Sequence, residues 1–383
     1  MLRRACRLAA IASLAGATLV VGVPAAGAHA ADRGAPSKRP AATALKRSLD
    51  RLIASGAPGS VVLVREHGRT TRLAAGYADT RTKRRMRPAD RFRVGSVTKT
   101  FVATAILQLA GEGKLSLDDS VERWLPGEVP NGGAITVRQL LTMTSGIFDY
   151  LNDGDDTVLR RELADPGMRW APSELVAIAT AHAPRFAPGA KWSYSNTGYI
   201  LLGQIAEKAD GRPIGELLRD RVFTPAGLRA TSFETDPRID GAYAHGYDSL
   251  TGGAPRDLSV LDQSWAWSAG AIVSNADDIA RFYRALLQGR LLRPDLLATM
   301  ETTVPMGGGA PRGYGYGAGI ATVPMPCGMA WGHNGSTPGY LANVLNSRDA
   351  ERQVVVLING GETALGGRTE GSAQRLLATA FCG

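Results

Sequence analysis

Ser96-Val97-Thr98-Lys99 sets a hydroxyl and an amine three residues apart, and no other S-x-x-K occurs in the chain. On a helix this spacing puts both side chains on one face, where the amine can approach the hydroxyl. Serine is a weak nucleophile until a base takes its proton, and a neutral lysine can be that base. Burial and the positive end of a helix both disfavour the ammonium form, which helps. Taken alone, the quartet also reads as a helix N-cap followed by a surface lysine. Tyr194-Ser195-Asn196, after the turn Pro188-Gly189, offers a phenol that can pass a proton and an amide that can hold a carbonyl. Its plain reading is a core tyrosine beside a helix cap, and Y-x-N recurs at Tyr150-Leu151-Asn152. His333-Asn334-Gly335-Ser336 is the chain's one H-x-G and follows the apolar Met329-Ala330-Trp331. On a strand, alternate side chains there would face one cleft, and Gly335 would let a ligand approach the backbone. A lone histidine is otherwise a satisfied structural residue, and Asn334-Gly335-Ser336 also fits a glycosylation sequon.

These groups need elements to carry them. Leu45, Leu49, Leu52 and Ile53 recur at helical spacing. Residues 59–64 and 71–77 read as strands about the turn His67-Gly68, and 96–111 as a long helix ended by Gly111 and Gly113. Between about 115 and 300 the periodic segments are helical, at 136–144, 173–183, 197–209, 275–288 and 292–300. Strand-like runs return at 313–322, 328–333, 339–346 and 353–359, before a last amphipathic helix from Ser372 to Phe381. The order predicts an α/β fold: an antiparallel sheet built from both termini, flanked by helices, with an inserted all-helical lobe. A cleft between sheet and lobe is the natural ligand site.

The chain has 383 residues, 44% hydrophobic and 21% charged, which excludes wholesale disorder and leaves room for a large core. Arg3, Arg4 and Arg7 precede an uncharged run from Leu8 to Val23, and Ala28-His29-Ala30 supplies a small-x-small cleavage site. Residues 1–30 therefore read as a signal peptide rather than a membrane anchor, 31–42 as a flexible leader and 43–383 as one catalytic domain. The protein is expected outside the cell, with no stable anchor once the signal is cleaved. Of the +9 formal charge, about +6 remains after that cleavage. No basic stripe with interleaved aromatics argues for nucleic acid, and the cluster Arg81, Lys83, Arg84, Arg85, Arg87 reads as a solvated loop. Without C-x-x-C or H-E-x-x-H, and with five His, neither a metal nor another cofactor is expected. Cys327 and Cys382 make an even pair that an oxidising compartment would join, the alternative being two buried thiols. Such a bond is worth about 4 kcal/mol in the chain-entropy model.

Together, Ser96-x-x-Lys99, Tyr194-Ser195-Asn196 and His333-Asn334-Gly335 make the sequence resemble the serine β-lactamase and penicillin-binding-protein superfamily. Within it the chain is most similar to secreted D-alanyl-D-alanine carboxypeptidases, relatives of class C β-lactamases, from about Leu45 to Gly383. Supporting stretches are Phe92-Arg93-Val94-Gly95-Ser96, Leu140 to Gly146, Ser264 to Gly270 and Phe381-Cys382-Gly383. The resemblance implies that Ser96 is acylated with Lys99 as base and that Tyr194 carries the proton to the leaving group. It implies that Asn196 binds the substrate amide, that His333 orients Tyr194, and that the backbone N–H groups of Ser96 and Ser336 form the oxyanion hole. It further implies that Gly335 and Trp265 border the substrate, and that Cys327 and Cys382 are joined. Substrates would be small peptides, esters or β-lactams, with cell-wall peptidoglycan as the larger partner. One departure stands out: the arginine that such carboxypeptidases use for the substrate carboxylate is expected near Ala321 or Thr322. No Lys or Arg stands between Gly313 and Arg348. Alternatives on the same scaffold are a class C-like β-lactamase, an esterase or a D-amino-acid peptidase. The alternative of another class is a penicillin-binding sensor or wall-binding module with little turnover. An α/β-hydrolase is disfavoured, because the chain has no G-x-S-x-G.

Overall fold

The structure is a computed structural model that describes residues 38–152, 157–250, 252–307 and 309–383. The signal peptide read at 1–30 lies outside the described residues. Helix α1 (Lys38–Ala54) begins inside the stretch read as a leader. Its Leu45, Leu49 and Leu52 are buried, as their helical spacing requires.

Next come β1 (Gly59–Glu66), β2 (Arg69–Asp79) and β3 (Arg84–Arg85), then β4 (Phe92–Arg93), which leads to Ser96. Helix α2 (Thr98–Gly111) runs through the interior with every side chain from Thr98 to Leu107 buried, the apolar ones joined by Lys99 and three threonines. The inserted lobe follows with α3 (Val121–Trp124), α4 (Val137–Leu141), α5 (Thr157–Ala164), α6 (Pro172–Thr180), α7 (Asn196–Asp210) and α8 (Ile214–Leu218). It is not purely helical, contrary to the expectation from periodicity. Strands β5 (Ser232–Phe233), β6 (Tyr247–Asp248), β7 (Arg256–Asp257) and β8 (Ile272–Ser274) interrupt it around α9 (Trp267–Gly270). At two or three residues each, these strands are too short to show an alternation. Helices α10 (Ala276–Leu287) and α11 (Pro294–Glu301) close the lobe.

The chain then returns to the sheet as β9 (Val304–Pro305), β10 (Gly315–Tyr316), β11 (Ala321–Met325), β12 (Gly328–Thr337), β13 (Tyr340–Asn346) and β14 (Gln353–Ile358), before α12 (Glu362–Cys382). The main sheet runs β3-β2-β1-β14-β13-β12-β11-β10-β9, with neighbouring strands antiparallel. Its centre joins the two ends of the sequence, with Val62 opposite Val356 and Val64 opposite Val354. Period-two alternation sends the two sides of these strands into different cores. Val62, Val354, Val356 and Ile358 pack with Leu49 and Leu52 of α1 and Leu376 and Phe381 of α12. Val61, Leu63, Val355 and Leu357 face the other way, into the core shared with α2 and the lobe. Cys327, in the β11–β12 turn, is bonded to Cys382 at the end of α12, with Cα atoms 5.4 Å apart. Among the described residues no helix is long and apolar enough to cross a membrane.

Candidate active site

Two glycines let a strand cross the loop that carries Ser96. Gly95 adopts φ +52°, and a Cβ there would lie 2.6 Å from the carbonyl oxygen of Ser336. A Cβ on Gly335 would lie 1.9 Å from the carbonyl oxygen of Val94. Larger residues at either position would push β12 off residues 94–96, so these two glycines bring the Ser336 backbone to the rim of the Ser96 cleft. Just upstream, the buried Arg93 donates to carbonyls of the loop that leads to Trp265, including Pro237 at 2.8 Å.

Ser96 lies in a single 3₁₀ turn, and Lys99 follows in the first turn of α2. The lysine Nζ lies 3.0 Å from Ser96 Oγ, 2.8 Å from Asn196 Oδ1 and 2.9 Å from the Ala269 carbonyl oxygen. Burial lowers Lys99 from its usual range to about 7, with the charge of Asp149 opposing that fall. A neutral amine has two N–H groups and one lone pair. The two carbonyl oxygens take the N–H groups, which leaves the lone pair for the Ser96 hydroxyl. Tyr194 completes the cluster, its hydroxyl donating to Ser96 Oγ at 2.7 Å. Burial pushes that phenol far above its ordinary value, so it works as a protonated hydroxyl.

Helix α7 explains why Tyr194 and Asn196 sit together. Ser195 caps it, accepting from the Gly198 N–H, so Asn196 is its first residue and Tyr194 precedes the cap. The Asn196 amide is engaged at both ends: its oxygen accepts from Lys99 and its Nδ2 donates to Asp149 at 3.0 Å. It therefore holds the Lys99 amine in place, a role the resemblance did not assign to it. Asp149 is the residue that sequence reasoning missed. It is fully buried, and burial pushes its carboxyl above the usual range while surrounding donors and Lys99 hold it back. The available signal was a lone acid inside the apolar run Ile147-Phe148-Asp149-Tyr150.

His333 is placed differently from expectation. Its Nδ1 faces the backbone carbonyl of Asn334, and its Nε2 lies 3.0 Å from the Tyr316 hydroxyl. With the Nδ1 proton given to a carbonyl, Nε2 is the acceptor and Tyr316 the donor. The resemblance had this ring orienting Tyr194; its hydrogen bonds instead reach Tyr316 on β10, which sits two strands away in the same sheet. Burial and the nearby Lys99 depress the imidazole to about 3, so it is neutral.

The cleft beside Ser96 is lined by Tyr150, Leu151, Trp265, Ala266, Ser336 and Thr337, among others, and none of its lining side chains among the described residues carries a charge. Trp265 is nearly buried, and its carbonyl accepts from the Tyr150 hydroxyl at 2.6 Å, which ties two walls together. Ala321 and Thr322, where a carboxylate-binding arginine was expected, are buried on β11.

The Beta-lactamase family model matches residues 44–379. The chain belongs to that family. It is 30% identical over 303 residues to the putative penicillin-binding protein PbpX of Bacillus subtilis (strain 168), covering 79% of this chain and 70% of that protein. It is also 30% identical over 348 residues to a D-aminopeptidase of Cereibacter sphaeroides, covering 88% of this chain but 63% of that longer protein. Among solved structures, a D-stereospecific amidohydrolase from Streptomyces sp. superposes with a TM-score of 0.81 at 38% identity, over 89% of this chain and 98% of that one. The family thus includes penicillin-binding proteins and D-aminopeptidases, and its solved relatives carry the same mixed α/β architecture.

Proposed function

We propose that this protein is a Ser96 acyl-enzyme hydrolase that cleaves amides and esters of D-amino acids or short D-peptides. The observation that carries the reading is that, among the described residues, the cleft beside Ser96 is lined without a charge and walled by Tyr150, Leu151 and Trp265. A charge-assisted bond to a buried carboxylate contributes about 1.5–3 kcal/mol, and a D-alanyl-D-alanine carboxypeptidase needs such a partner for its substrate's free carboxylate. Among the described residues this cleft offers none, whereas Tyr150, Leu151 and Trp265 give an acyl side chain apolar surface to lie against. The D configuration is taken from the D-stereospecific amidohydrolase and the D-aminopeptidase. The signal-like residues 1–30 support action outside the cell.

In the reaction, Lys99 takes the Ser96 proton through its aimed lone pair, and Ser96 Oγ attacks the carbonyl carbon. The N–H groups of Ser96 and Ser336 stabilise the resulting oxyanion. Tyr194, bonded to Ser96, passes its proton to the leaving amine or alcohol and takes up the one held by the Lys99 ammonium, so that Lys99 is again neutral and Tyr194 again a phenol. The same hydroxyl and Lys99 then activate water against the acyl-enzyme.

Residues 31–383 should be given D- and L-phenylalanine amide, diacyl-D-Ala-D-Ala and a chromogenic cephalosporin in parallel, with mass spectrometry of the protein. The expected result is faster turnover of the D-amide than of either the L-amide or the dipeptide. D-Ala release that outpaces D-amide hydrolysis would make the enzyme a carboxypeptidase, and rapid cephalosporin turnover would make it a β-lactamase.

A further inference from the structure

The side chains behind the nucleophile form a line from Asp149 through Asn196 and Lys99 to Ser96. Asp149 is fully buried, and donors surround it. Its carboxylate accepts from both the Leu151 N–H at 3.2 Å and Asn152 Nδ2 at 3.4 Å, and Asn196 Nδ2 lies 3.3 and 3.0 Å from its two oxygens. A carboxylate accepts and does not donate, so only the NH₂ end of the Asn196 amide can face it. The amide oxygen must then face the other way, to Lys99 at 2.8 Å. An asparagine without this constraint could turn over and present a donor to the amine. The lysine would then have one carbonyl acceptor, Ala269, and nothing to hold its lone pair on Ser96.

We infer that Asp149 is a positioning residue, which fixes the orientation of the Asn196 amide and thereby aims the Lys99 lone pair at Ser96. The inference rests on the acyl-enzyme part of the proposed function and is independent of which substrate is natural. It gives the buried carboxylate two effects on one base. It orients the base through Asn196, and its charge favours the ammonium form of Lys99 against the cost of burial. The other titratable groups facing this pair are the phenols of Tyr150, Tyr194 and Tyr199, all raised by burial, and the neutral imidazole of His333. None of them changes charge between pH 5 and 9, so any movement of the acid limb in that window reports on Lys99 and Asp149.

The test is acylation of the whole mature chain by p-nitrophenyl acetate, a generic ester, followed by the release of p-nitrophenol from pH 5 to 9. Asp149→Asn should slow acylation by roughly 100-fold, the order expected when a catalytic group is misaligned, and move the acid limb to lower pH. The swap Asp149→Asn with Asn196→Asp restores a carboxylate–amide pair but turns the carboxylate toward Lys99. It should melt within a few degrees of wild type, stay slow, and show its acid limb at higher pH. Should Asp149→Asn fail to fold, the swap alone decides. A swap that regains wild-type rate and acid limb would make the pair mere packing and overturn the inference, as would a folded Asp149→Asn variant with an unchanged rate and pH profile. Wild-type turnover of this ester together with no turnover of D-amides would remove the substrate reading and leave the inference standing.

Discussion

The site holds two buried nitrogen bases in contrasting settings. Lys99 has three oxygen partners and a carboxylate behind them, and it comes to rest at about 7. His333 has a carbonyl on one side and a phenol on the other, with no anion beside it, and burial drives it to about 3. Desolvation acts on both; the nearby charge differs. Asp149 keeps Lys99 within reach of protonation near neutrality, whereas Lys99 itself helps to keep His333 neutral. The lysine is therefore the group we propose as general base, with the neutral histidine a fixed dipole at the edge of the site.

The largest effects should come from the Lys99 side. Ser96→Ala should remove acylation, with a loss of at least about 10⁴-fold in kcat and no adduct by mass spectrometry. Lys99→Ala should cost about 10³-fold, within the range for a general base; retained activity there would move the base to another group. His333→Asn should do much less, within about tenfold, since it removes one neutral hydrogen bond worth about 1 kcal/mol. A loss as large as that of Lys99→Ala would erase the contrast between the two bases.

Further effects lie outside this pair. Reducing the Cys327–Cys382 bond should lower stability by at most about 4 kcal/mol while sparing the rate at 25 °C, because the bond pins α12 to the far side of the sheet. Glu162 of α5 is buried beside Trp170, and burial, with the Asp262 charge nearby, raises it to about 8. Its folded form holds a proton that the unfolded chain releases above the ordinary carboxyl range. Its contribution to stability is therefore complete in acid and is lost as pH rises toward 8. Glu162→Gln should flatten that decline in Tm, and an unchanged slope would show the carboxyl to be paired.

Much of this was legible in the sequence. Val61 to Val64 and Val354 to Ile358 read as strands because both faces are buried, and α2 read as a helix ended by glycines. The three motifs marked Ser96, Lys99 and Tyr194, which the fold brings into one hydrogen-bonded cluster. Asp149 was not legible, since a single acid in an apolar run carries no spacing signal until its partner on α7 is known. The partner of His333 was hidden for a related reason: Tyr316 lies on a two-residue strand, and only the sheet register places it beside the ring. The short strands of the lobe were missed because pairing across distant segments, rather than local alternation, creates them.

The pH dependence of ester acylation in wild type and His333→Asn, measured side by side, tests the contrast most directly. Both proteins should lose rate below about pH 7, with coincident acid limbs, because Lys99 titrates in each. An acid limb present in wild type and absent from His333→Asn would instead make the histidine the base.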